Sequence, residues 1–236
     1  MVHGAFRAPV RLRRFDMMFV KYVGSGREGA VLRKGRVYLG RPALEDHAAV
    51  DVDKVVVVGD DGSEVSFRPA DSEGSFEFLD FVYAVVLRDC GVGAAGDVVR
   101  LEGADDDGYY LVAGKGHHNA AFFEIMDESN LAPGFWVLDL SDGRWRQITR
   151  VAACGWVAIE GLSSMRPLTD FAFPVGGGGV LAEPVARCVD VAGEPGLEEG
   201  RVYRMTGWDR VGGIVEIVVD DVERSFMESR FEIGDV

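Results

Sequence analysis

The sequence predicts an all-β chain built from several small barrels, and three observations predict it. The nine residues LRKGRVYLG (32–40) return as the similar LEEGRVYRM (197–205), with Leu, Gly, Arg, Val and Tyr at the same places. Glycine is abundant, 31 residues in 236, while the apolar runs, such as VVVV and FVYAVVL, stop at strand length, a pattern of short strands separated by tight turns. Turn signals of the GDDG kind (59–62) lie between two such runs, as a hairpin requires.

The repeat extends beyond its two clearest copies. RKGRVYLG (33–40), AAGDVVRL (94–101), APGFWVLD (132–139) and EEGRVYRM (198–205) each place a glycine, Gly35, Gly96, Gly134 or Gly200, two residues before an apolar or aromatic pair. Glycine takes the positive φ that closes a turn, and the pair behind it opens a strand. Each opening leads to an Asp/Gly-rich hairpin: DKVVVVGDDGSEVSF (53–67), ADDDGYYLVAG (104–114), SDGRWRQITRV with GWVAIEG (141–161), and GGIVEIVVDDVERSF (212–226). In the last, Ile214, Glu216 and Val218 alternate with Val215, Ile217 and Val219, which suits a strand covered on both faces. The endings also match: Phe76 and Phe78, Phe123 and Ile125, Phe171 and Phe173, Phe231 and Ile233 stand two apart and return to a barrel interior.

These openings, hairpins and Phe-x-Phe/Ile endings resemble the Src-homology-3-like small barrels found in many short bacterial and phage proteins. The resemblance is clearest over 197–235, good over 132–175, fair over 18–88 and weakest over 95–127. It implies a surface that holds peptides, partner proteins or RNA, and a bacterial or phage setting. Fold alone does not fix function.

The expected organisation is a basic arm or edge strand at 1–17, barrels at 18–90, 91–130, 131–178 and 179–236, and Gly-rich joints at 88–96 and 175–184. Helix is scarce; the best candidate is RPALEDHAA (41–49), with Pro42 near a first turn, whereas 126–134 reads as a loop. Small barrels are individually marginal, so neighbours should pack on one another.

Charge is uneven. Residues 1–38 carry nine Lys/Arg and two Asp/Glu, a net +7, and the remaining 198 carry 16 and 37, a net −21. An acidic body repels nucleic acid and attracts a basic protein partner, so nucleic acid is expected only at the arm, where Arg7, Arg11, Arg13 and Arg14 alternate with apolar residues. No stretch reaches the roughly 18–20 apolar residues of a membrane span, and the N-terminus lacks the apolar run of a secretory signal. A cytoplasmic protein of a bacterial host cell is the expectation, with homo-oligomers possible. Cys90, Cys154 and Cys188 are too far apart for a disulfide framework and read as reduced thiols.

No catalytic pattern stands out, so the chain is expected not to be an enzyme and to need no cofactor or metal. GKGHH (114–118) lacks the spacing of a phosphate loop, and His117 and His118, adjacent in a strand, face opposite ways. ADDDG (104–108) has the acidic density of a calcium loop without its terminal Glu and sits where a hairpin turn belongs. The aromatics Trp136, Trp145, Trp156, Trp208, Tyr109 and Tyr110, with His117 and His118, are the candidate binding residues. The favoured function is a non-enzymatic interaction protein whose acidic surfaces bind and inhibit or sequester a toxin, defence effector or DNA-binding enzyme; a virion or connector component and a nucleotide-sequestering protein are the alternatives.

Overall fold

The computed structural model describes residues 17–24, 31–45, 49–68, 75–105, 107–127, 130–152, 155–176, 179–181, 183–191 and 193–234. The chain divides into two compact units, residues 1–80 with 103–110, and residues 81–102 with 111–236. Among the described residues the regular structure is strand, and the helical elements are three-residue 3-10 turns. Arg7, Arg11, Arg13 and Arg14 of the predicted arm, and Cys154, lie outside the described residues.

Four consecutive sets of five antiparallel strands follow one another. The first comprises β1 (Met18–Tyr22), β2 (Val37–Glu45), β3 (Ala49–Val58), β4 (Glu64–Phe67) and β5 (Phe76–Leu79), ordered β4-β3-β2-β1-β5. The second has β6 (Val82–Val86), β7 (Val98–Ala104), β8 (Tyr109–Val112), β9 (Gly116–Asn119) and β10 (Phe123–Ile125), ordered β10-β6-β7-β8-β9. The third has β11 (Trp136–Asp139), β12 (Arg144–Ala152), β13 (Trp156–Ile159), β14 (Arg166–Pro167) and β15 (Phe171–Ala172); β16 (Val175–Gly176) and β17 (Gly179–Val180) form a small hairpin after it. The fourth has β18 (Val185–Cys188), β19 (Val202–Asp209), β20 (Ile214–Val219), β21 (Val222–Met227) and β22 (Phe231–Ile233). In every set the first strand lies between the fifth and the second, and the second, third and fourth follow as a meander. A 3-10 turn precedes the fifth strand in the last three sets, at Ala120–Phe122, Leu168–Asp170 and Glu228–Arg230.

The repeated glycine has one local job in all four sets. The amides of Arg36, Asp97, Phe135 and Arg201 donate to the carbonyls three residues earlier, at 3.1, 3.0, 3.3 and 3.1 Å, and Gly35, Gly96, Gly134 and Gly200 hold the penultimate position at φ +86°, +89°, +96° and +79°. These are turns whose third residue needs positive φ. The turn leads into the second strand in the first, second and fourth sets and into the first strand in the third. The rest of the nine-residue repeat closes over it: Leu32 and Leu197 are buried, and the hydroxyls of Tyr38 and Tyr203 accept the amides of Arg33 (2.7 Å) and Glu198 (2.9 Å). Tyr203 in turn donates to the Gly196 carbonyl at 3.1 Å. Tyr203→Phe strands both backbone groups and is expected to cost about 1–2 kcal/mol in chemical denaturation; an unchanged midpoint would refute this role for the hydroxyl.

The Phe-x-Phe/Ile endings form or immediately follow the fifth strands, with Phe123, Phe171, Phe173 and Phe231 buried. In β20 the Val215, Ile217 and Val219 face is buried and the Ile214 and Val218 face half-buried, so coverage is less even than the sequence suggests. In the acidic connection between β7 and β8 the Asp105 carboxylate accepts the amides of Asp107 and Tyr109. The expected helix over 41–49 is not formed. Residues 37–45 and 49–58 pair as strands, with a register shift between Pro42 and Ala43, and such an irregularity accommodates a residue that has no amide to donate. Val82–Val86, which the sequence groups with the first barrel, pairs with β7 and β10, so the second set begins before the expected boundary at 91.

The first set has a core of its own. Val20, Tyr22, Leu32, Tyr38, Val55 and Val57 fill it. In the second unit the cores are shared: Val85 and Val98 of the second set pack with Ile148, Val157, Leu168 and Phe171 of the third, and Leu138 and Trp145 of the third pack with Cys188, Met205, Ile217 and Phe231 of the fourth.

Candidate functional site

Three links join the second, third and fourth sets inside the second unit. The Phe173 amide donates to the Gly96 carbonyl at 2.9 Å, and the Trp208 amide donates to the Gly143 carbonyl at 2.8 Å beside the pairing of Arg144 with Gly207. Arg210, at the end of β19, reaches back to the second set, with Nη1 2.6 Å from Asp97 Oδ1 and Nη2 3.3 Å from the Ala95 carbonyl. Arg144 adds ion pairs to Glu216 (3.1 Å) and Glu223 (2.6 Å).

A cleft of about 390 Å³ opens where these sets meet. The second set contributes Asp89, Ala94 and Ala95; the third Trp145, Phe173, Pro174 and Val175; the fourth includes Met205, Trp208, Arg210, Glu228 and Phe231. Trp208 is half-buried, its Nε1–H donating to Glu228 Oε2 at 3.0 Å while the Arg210 guanidinium lies 5.3 Å from its ring centre. Trp145 is only 6% exposed and its indole N–H has no hydrogen-bond partner. Asp89 accepts the Ala95 amide at 2.7 Å. Of the lining rings only Trp208 is half-buried, Trp145, Phe173 and Phe231 being buried, and the charges on the rim are those of Asp89, Glu228 and Arg210, the last engaged by Asp97.

Of the candidate binding residues, the structure brings Trp145 and Trp208 together in the cleft. Trp136 packs against the fourth set's core, with the Arg204 guanidinium 4.8 Å from its ring centre. Trp156 is 46% exposed on β13, paired with Pro167. Tyr109 is exposed and Tyr110 buried, its ring 6.2 Å from Phe19, and burial pushes the Tyr110 phenol up. His117 and His118 lie on β9, where His118 Nε2 is 3.1 Å from the Lys115 carbonyl. None of these other six lines the cleft.

A second polar centre, not singled out in the sequence, lies in the third set. Asp139 is 1% exposed at the end of β11. Its carboxylate accepts the Ser141 hydroxyl (2.6 Å) and amide (3.0 Å) and pairs with Arg166 Nη1 at 2.7 Å. Burial alone pushes its carboxyl up, but the Ser141 hydroxyl and amide and the Arg166 guanidinium outweigh that and hold it below the usual carboxylate range. Arg166 also bonds Asp170 at 2.9 Å. With its partners supplied by its own set, this cluster reads as a corner brace.

An acidic end caps the fourth set. Glu194, Glu198 and Glu199 come from the β18–β19 connection and Asp220 and Asp221 from the β20–β21 turn, all exposed. Arg224 ties the two segments together by donating to the Pro195 carbonyl at 2.9 Å, and Arg201 pairs with Glu198 at 2.8 Å. Among the described residues there is no group of three or more His, Cys, Asp or Glu side chains able to hold a metal ion, and no helix long and apolar enough to cross a membrane. Compared with known proteins, the chain matches no family model and no curated relative.

Proposed function

We propose that the chain is a non-enzymatic interaction protein, a tandem of Src-homology-3-like small barrels that binds and so inhibits or sequesters a protein partner with a basic surface. The strand order that recurs in four consecutive sets, the 3-10 turn before the fifth strand in three of them, and the glycine turn common to all four support the tandem-barrel reading. The observation that carries the partner reading is the acidic end of the fourth set: five exposed carboxylates from two loops, held together by Arg224. Fixed carboxylates of this kind speed encounter with a basic protein and orient it. The cytoplasm of a bacterial host cell is the setting this reading implies.

Co-purification from the source cells at low and at physiological salt tests it. One basic protein is expected in a defined complex that loosens as salt rises and screens the charges. Paired reversals Glu199→Lys and Asp221→Lys are expected to weaken that complex about tenfold or more. Sedimentation with virus-like particles would replace the reading with a structural one, and a complex indifferent to both reversals would remove the acidic end from it.

A further inference from the structure

The free edge of the fourth set carries an inference that does not depend on the protein partner. In each set the fourth strand is joined to the third and, among the described residues, has no strand on its other side. Such an edge is a template for another chain unless it is short or blocked. β4 and β9 are four residues long, with Gly116 opening β9, and β14 is two residues long and ends in Pro167. β21 has six residues, none of them Gly or Pro, and its Val222 and Met227 side chains are half exposed. The hairpin fixes which backbone groups this edge offers. Asp220 and Asp221, both at positive φ (51° and 63°), form a two-residue turn between Val219 and Val222, and the residues flanking such a turn exchange both backbone hydrogen bonds. Alternation then turns the amides and carbonyls of Val222, Arg224 and Phe226 toward β20 and those of Glu223, Ser225 and Met227 outward. The Glu228 amide keeps the same phase, donating to the Gly213 carbonyl at 2.8 Å.

In a closed dimer through this edge the two strands run antiparallel and one residue of β21 lies opposite itself on the twofold axis. Two such registers pair five of the six residues. Centred on Arg224, one sets two guanidinium groups against each other, and like charges directly opposite are destabilising. Centred on Ser225, the other sets Ser225 against Ser225, Glu223 against Met227 and Arg224 against Phe226, with no like charges opposed. We propose that β21 is a homodimerisation edge, through which the sheet of one copy continues into that of a second copy in the Ser225-centred register. The contact is small and each chain carries a net charge of −14. The dimer is therefore weak, half-formed at about 0.1 mM protein, and it tightens with salt, which screens the mutual repulsion. A complex with a basic partner responds to salt with the opposite sign.

Sedimentation velocity on the full chain, from about 0.01 to about 1 mM, is expected to show a monomer–dimer equilibrium. Ser225→Lys and Ser225→Glu each place like charges on the axis and are expected to weaken the dimer about tenfold or more, while an equimolar mixture of the two restores it as a heterodimer. NMR on the unaltered chain gives a second readout. On concentration the amide-proton signals of Glu223, Ser225 and Met227 are expected to move saturably, and further than those of Val222, Arg224 and Phe226. A monomer up to about 1 mM, a dimer indifferent to both variants, a mixture no tighter than either variant alone, or species that grow past the dimer would each overturn the proposal.

Discussion

Replacing Gly96 by alanine is expected to destabilise the second unit by about 3–4 kcal/mol, lowering its melting temperature by roughly 10 °C. Two causes add. Gly96 sits at φ +89°, where a side chain is strained, and a Cβ there would fall 2.4 Å from the Phe173 carbonyl oxygen. That oxygen belongs to backbone, which cannot swing aside as a side-chain tip does. Moving it disturbs the Phe173 amide bond to the Gly96 carbonyl and the 2.7 Å bond from the Gly96 amide to Val86. Gly200→Ala is the control, with the same class of φ at +79° and open space around its Cβ, so strain alone should cost it about 1 kcal/mol. Thermal melts of the two variants side by side decide the matter: equal losses would mean that the approach of the second set to the third contributes nothing.

Asp139→Asn is the other change expected to act strongly, by about 2–4 kcal/mol at neutral pH, because it leaves the half-buried Arg166 with Asp170 alone and puts an uncharged amide, with only one acceptor oxygen, where the carboxylate served both Ser141 and Arg166. The effect has a defined pH signature. The folded-state carboxyl is held below its unfolded value of about 3.9, so its contribution is complete above that value and is lost as pH falls through the lower, folded one. Urea unfolding of native protein and variant should show a stability gap that is constant from pH 7 to about 5 and narrows progressively as the pH falls below about 4. A gap that did not begin to narrow as the pH fell below about 4 would place the stabilising interaction elsewhere.

Much of the fold is legible in the sequence because its signals are local. A turn whose third residue needs positive φ selects glycine, so Gly35, Gly96, Gly134 and Gly200 mark it in plain text, and the Leu and Tyr around two of them are spaced to close over it. What fails is whatever depends on distant pairing. Residues 41–49 have helix-like composition, yet β3 offers residues 41–45 a partner and the ladder prevails over propensity. Nothing within Val82–Val86 says that its partners lie ahead of it in the chain rather than behind. Asp139 reads as one more hairpin aspartate, since the residue that makes it a buried ion-pair member, Arg166, is 27 positions away. The cleft is invisible for the same reason. Trp145 and Trp208 were apparent as aromatics, but only the Arg144–Gly207 and Gly96–Phe173 links put them on one wall.

The sharing of that wall among three strand sets sets a schedule for the growing polypeptide. Each set is contiguous in the chain and can pair its strands as it leaves the ribosome, in the N-to-C order of synthesis. Nine of the sixteen lining residues, from Pro184 to Gly234, arrive with the last set. A nascent chain halted near residue 180 therefore already possesses three meanders but no cleft, which is complete only when β22 docks against β18.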